Sequence, residues 1–170
     1  MAQKNNKERD IERTRQNILD AAAAEFSTHG FSGGRVDRIS QQAGVNKAMI
    51  YYIFKNKHEL HLSVLEHLFE EKINEVEGHL QQEKMSLEKL FPMLQDHFQT
   101  LIEKREYAGI ILHDLATGAN TLRELRQRRP DLFEEFDIIG TMLKTLGDSG
   151  FIREVDPDKG VAIIIVMIIG

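Results

Sequence analysis

The chain has 170 residues, 41% hydrophobic and 29% charged, with a net charge of −5 and no cysteine. That length suits one compact unit or a small head on a larger body, and the missing thiols exclude disulfides, cysteine nucleophiles and zinc–thiolate sites, in keeping with a reducing cytoplasm. The start, MAQKNNKERDIER, is polar, and the strongly apolar run VAIIIVMII near the end falls short of the roughly 20 residues that span a bilayer, so no membrane association is expected.

In chain order, residues 1 to about 8 read as a frayed polar arm, and a first helix is predicted from about Glu8 to Thr28. Ile11, Ile18, Leu19, Ala22 and Phe26 form its apolar stripe, and the Ala21–Ala24 run favours helix. Thr14 and Arg15 lie toward its outer side. Gly30 ends the helix, Phe31 packs back, and Gly33 and Gly34 are expected to form a flexible loop.

The stretch from Arg35 to Lys57, RVDRISQQAGVNKAMIYYIFKNK, reads as two short helices around a tight corner. Val36, Ile39 and Ala43 share one face of the first. Gly44 stops it in the left-handed region, and Val45 plugs the corner. Asn46 is a good cap for the second helix, because its side-chain oxygen can accept from a free backbone N–H. That helix, Lys47 to about Ile53, buries Ile50 and Phe54 and leaves Lys47, Ala48, Met49, Tyr51 and Tyr52 facing outward. This is the helix-turn-helix plan, whose second helix enters the DNA major groove. Arg35, Asn46, Lys55 and Lys57 are placed to meet phosphates, Tyr51 can donate a hydroxyl, and Met49 can touch a thymine methyl. Charge is divided accordingly. Residues 1–57 hold 10 Lys+Arg against 6 Asp+Glu, a net of +4, and residues 58–170 hold 12 against 21, a net of −9. A basic head on an acidic body is expected when one end meets nucleic acid.

The run AGVNKAMIYYIFKNKHEL, residues 43–60, resembles the signature of the TetR family of transcriptional repressors, roughly A-G-V-S-x-G-T-L-Y-x-Y-F-x-S-K-x-x-L. Ala43, Gly44, Val45, Tyr51, Phe54, Lys57 and Leu60 match in register, and GFSGGRVDRIS fits the family's preceding Gly-Phe turn and helix. Asn46 replaces Ser or Thr, Ala48 replaces Gly, Met49 replaces Thr, Ile53 replaces an aromatic or His, and Gly34 stands where a capping Thr is common. The resemblance implies an all-α fold: a three-helix DNA-binding head, residues 1–57, and a helical ligand-binding and dimerisation body, residues 58–170, its last helices incomplete. It also implies a homodimer on a palindromic double-stranded operator, released when a small-molecule inducer binds the body; because family members usually end in two long dimerising helices and this chain stops within the first, either the chain is a truncated or partly ordered form or its dimer interface is reduced. A linking helix, whose displacement would respace the heads, is predicted from Asn56 to about His79, with Leu60, Val64, Leu65, Leu68, Phe69, Ile73 and Val76 on its apolar side.

The body continues with predicted helices over 86–104, with Pro92 in its second turn, and over 106–116, ending near Gly118. A third, over 121–146, is expected to break or kink at Pro130. RELRQRR, just before that proline, is a dense basic patch, and LFEEFDIIGTMLKTL after it is amphipathic. Gly147 and Gly150 close the segment, and Asp156-Pro157 starts a last helix. Phe91, Leu94, His97, Phe98, Tyr107, Ile110, His113, Phe133 and Phe136 fit either a plain core or a pocket lining. The resemblance implies an inducer cavity among these helices, suited to an apolar or amphipathic molecule. His58 and His61 share a helical face, but no H-E-x-x-H spacing occurs, so neither metal nor cofactor is expected. No phosphate loop or nucleophile–base constellation appears, which argues against an enzyme. A helical small-molecule carrier or a protein-interaction adaptor is the alternative reading.

Overall fold

The computed structural model describes residues 2–76 and 105–150 together with residues 95, 99 and 153. The described residues are helical, without strand: α1 (Ala2–Gly33), α2 (Val36–Gln42), α3 (Lys47–Phe54), α4 (Lys57–Val76), α5 (Arg105–Ala116), α6 (Asn120–Arg128), a 3-10 turn (Pro130–Phe133) and α7 (Glu134–Asp148). The predicted helices over 86–104, residues 95 and 99 apart, and after Asp156, and Ile73 and Val76 as side chains, lie outside the described residues.

The stripe of α1 is buried as its spacing requires, with Ile18, Leu19, Ala22 and Phe26 at 1% exposure or less, whereas Ile11 stays exposed. The helix starts at Ala2, so the expected polar arm is helical backbone. It also runs past Thr28. Gly30 takes φ 64°, ψ 178°, and a second short helical piece continues to Gly33. The expected flexible loop at Gly33 and Gly34 is not found. Gly34 is buried, and a Cβ there would stand 2.6 Å from two carbons of the Phe26 ring. Glycine is required at this position because the backbone lies directly on that ring.

α1 also crosses α5 closely: a Cβ on Gly109 would stand 2.8 Å from the Ser27 carbonyl oxygen. Ile110 and Ile111 fill the crossing. One apolar cluster then runs from Ile18 and Phe26 through Ile39, Ile50, Leu60 and Leu65 to Ile110, Leu125, Leu132 and Phe133. The core therefore continues across the sequence division between Lys57 and His58. Burial at this scale, roughly 1.5–3 kcal/mol per large aliphatic or aromatic side chain, dominates the local helix preferences.

Polar side chains close the helix junctions. Asn56 caps α4, accepting from the Glu59 N–H at 2.9 Å. Buried Asp114 of α5 accepts from the N–H groups of Thr121 at 3.3 Å and Leu122 at 2.9 Å, at the start of α6. Pro130 breaks the predicted long helix into α6, the 3-10 turn and α7, as its missing N–H requires. The turn buries Leu132 and Phe133, and the Phe133 ring lies 4.9 Å from that of Phe69 on α4.

The expected basic patch stays at the surface, but its arginines are held by partners. Arg128 makes two bonds of 3.0 Å to Glu59 on α4 and one of 2.5 Å to Glu124. Arg129 binds Glu66 and, at 2.7 Å, Glu70, both on α4, and Asp131 at 2.8 Å. Arg126 pairs with Asp137, and Arg123 donates to the Gly118 carbonyl.

Candidate nucleic-acid interface

The corner between α2 and α3 follows the sequence closely. Gly44 has φ 66° and empty space where a side chain would point, so backbone conformation alone asks for glycine there. The Val45 N–H donates to the Ser40 carbonyl at 3.0 Å, closing the turn. Asn46 Oδ1 accepts from the Met49 N–H at 2.8 Å, the expected cap. α3 then buries Ile50 and Phe54 and exposes the opposite side. Tyr52 is 79% exposed, Tyr51 and Met49 39% each, and Lys47 and Ala48 are also open.

Of the residues expected on this face, Arg35, Lys47, Ala48, Met49, Tyr51, Tyr52 and Lys55 are exposed and lie on or beside α3. Asn46 is exposed with its oxygen committed to the cap. Lys57 is half-buried. Its ammonium sits 4.7 Å from the Phe31 ring centre and 3.5 Å from the Ser32 carbonyl oxygen. Burial lowers its pKa against the raising field of Glu25. Lys47 Nζ lies 2.9 Å from Asp37 Oδ1, and that hydrogen bond holds the ammonium above its usual range. Lys55 has φ 63°, ψ −54°, and the Asn56 N–H reaches the Phe54 carbonyl at 2.7 Å across it. This is the strained γ-turn with positive φ, which carries the chain abruptly from α3 into α4. Arg15 stands over the Phe54 ring at 5.6 Å and pairs weakly with Glu12, backing the face from α1.

The residue that orients α2 is Glu25, which the sequence reading passed over. Its carboxylate is 7% exposed and accepts from the Arg35 N–H at 2.8 Å, from Arg38 Nε at 2.8 Å and from Arg38 Nη2. Burial alone would raise its pKa, but the Arg38 and Arg35 hydrogen bonds outweigh that and lower it. It thus supplies the cap that neither Arg35 nor Gly34 can give α2. The signal was available: Glu25 continues the Ile18–Ala22 register of α1, a charge on a buried stripe.

The expected pocket residues are spread out. Phe91, Leu94, His97 and Phe98 lie outside the described residues, as do the side chains of Tyr107 and Phe136. Ile110 is fully buried against α1, His113 is exposed beside Gly30, and Phe133 packs on Phe69. His58 and His61 do not converge. His58 binds Glu124 at 2.7 Å, and His61 is buried against the Phe26 and Phe31 rings. No cluster suited to a metal occurs among the described residues. Among the described residues no helix is long and apolar enough to cross a membrane.

A family model described as "Bacterial regulatory proteins, tetR family" matches residues 18–64, from the middle of α1 through the corner into α4. Residues 18–64 thus form a head of the tetR type. The TetR head is 53% identical over 58 residues to the HTH-type transcriptional repressor NicS of Pseudomonas putida, a stretch that is 34% of this chain and 27% of that repressor. The chain thus spans less than a third of the length of the first curated relatives it matches. A longer match joins it to the fatty acid metabolism regulator protein of Bacillus subtilis, 29% identical over 138 residues, 81% of this chain and 70% of that one. The crystal structure of the regulator FadR from Bacillus subtilis, in complex with stearoyl-CoA, aligns with a TM-score of 0.60 at 26% identity, covering 90% of this chain and 82% of that one.

Proposed function

We propose that this chain is a TetR-family, ligand-responsive transcriptional repressor acting in the cytoplasm as a homodimer, and not an enzyme. Residues 1–57 would read DNA, and residues 58–170 would hold the inducer and the second copy. The observation that carries the reading is α3, which buries Ile50 and Phe54 yet leaves Met49, Tyr51 and Tyr52 open beside exposed Arg35, Lys47 and Lys55. In a dimer, two such helices enter successive major grooves about 34–36 Å apart and read a palindrome. Lys47, Met49 and Tyr51 approach bases, and Arg35, Tyr52 and Lys55 hold the backbone. Asn46 shapes the helix start, and Lys57 acts through Phe31.

The inducer is an apolar or amphipathic small molecule held by the body. The stearoyl-CoA of the Bacillus subtilis FadR structure belongs to that chemical class and supports a long-chain acyl thioester as the first candidate. Such a ligand shifts the head spacing only by its difference in affinity for the two states.

Selection from a random duplex pool tests this reading. An enriched two-fold palindrome is expected, and Tyr51→Ala, with unchanged helix content, should bind it about tenfold more weakly. Unchanged affinity would remove α3 as the reading face, and retention without enrichment would remove operator function.

A further inference from the structure

Between Arg35 and Lys57 the sequence has five cations and a single acid, Asp37. It sits in the first turn of α2, with its side chain 71% exposed, and it holds the Lys47 ammonium at 2.9 Å across the corner. Lys47, 46% exposed, is the first residue of α3. The pair is not needed to dock the two helices, because Ile39 and Ile50, both fully buried, already do so. An ion pair this exposed adds little to stability. Its position matters more: it lies on the side that DNA must approach.

A phosphate reaching for Lys47 must displace a carboxylate already bound there, and it meets the negative charge of Asp37 as it does so. Both effects oppose sequence-independent binding, which is almost wholly electrostatic. The major groove differs from the backbone, because it offers partners to both charges. Guanine N7 and O6 accept from a lysine, and the amino groups of cytosine and adenine donate to a carboxylate. We propose that Asp37 is a specificity-determining residue: it masks Lys47 from phosphates and gives it up only where a base amine takes its carboxylate. The proposal rests on the reading of α3 as a DNA-recognition helix.

The experiment uses the full chain, with binding to a mixed-sequence duplex and to the selected palindrome measured across a salt series. Asp37→Asn should tighten mixed-sequence binding about fivefold and steepen the log affinity against log salt slope by about 0.9, one extra phosphate contact. Discrimination between palindrome and mixed sequence should fall about tenfold, one lost base contact. Asp37→Glu should keep wild-type behaviour, and in a Lys47→Met background Asp37→Asn should leave the salt slope unchanged, because no cation remains to be unmasked. A merely structural role for Asp37 would alter the melting temperature and leave the salt slope alone. If the wild type selects a palindrome but Asp37→Asn keeps both slope and discrimination, this inference falls and the proposed function stands. If the wild type retains no duplex DNA, both fall.

Discussion

Replacing His61 by leucine should remove a defined part of the protein's acid sensitivity. His61 is 2% exposed, its ring edge-on to Phe26 at 4.8 Å and tilted against Phe31 at 5.2 Å, and its Nδ1 has no partner. Burial lowers its pKa to about 4 from an ordinary 6.5, with Asp114 raising it and His58 and Lys57 lowering it further. Between those two values the unfolded chain binds a proton that the folded chain refuses. Stability therefore rises with pH across that window, and is lost as pH falls from about 6.5 to about 4. The gap corresponds to about 3 kcal/mol, at about 1.4 kcal/mol per pH unit. Near neutral pH the substitution should change little, because relief of the unpaired Nδ1, about 1–2 kcal/mol, offsets the lost ring contacts, about 1 kcal/mol. Urea unfolding followed by circular dichroism, at about pH 7.5 and about pH 4.5, should show wild type losing about 2–3 kcal/mol more than His61→Leu. The other titrating groups are common to both proteins and cancel. Equal losses would show that His61 is not the buried neutral imidazole described above.

Gly34→Ala should destabilise the head by about 2 kcal/mol and lower Tm by about 6 °C, because the new Cβ meets the immobile Phe26 ring; a wild-type Tm in a thermal melt would contradict that packing. Lys55→Gly should have opposed effects, stabilising the fold by up to about 1 kcal/mol through relief of the positive φ. In the same variant a cation leaves the proposed DNA face, so the salt slope of duplex binding should shrink by about 0.9. A fall in Tm would mean that the turn at Lys55 is not strained.

The corner between α2 and α3 was almost wholly legible because its determinants are local. Gly44 and Asn46 each act within three residues of their own position, and the pattern of Ile50 and Phe54 fixes which side of α3 is buried. The break at Pro130 was readable for the same reason. What escaped were pairings between residues far apart in sequence. Glu25 caps a helix ten residues on, Asp114 caps another helix, and Arg128 and Arg129 find partners 59 to 69 residues away. A run of arginines looks identical in sequence whether it faces solvent or a row of glutamates on a neighbouring helix. Gly34 was misread because glycine can signal either freedom or lack of room, and only the Phe26 ring lying against it decides between them.

The two arginines just before Pro130 have a mechanical consequence. Arg128 grips α4 at Glu59, and Arg129 grips it at Glu66 and Glu70. Seven residues separate Glu59 from Glu66, two turns or about 10 Å along the axis. A rod fastened at one point can swivel about it, but a rod fastened at two points on the same side cannot. Both arginines sit at the end of α6, so they tie that end to two points of α4, the first of them two residues from Lys57 at the foot of α3.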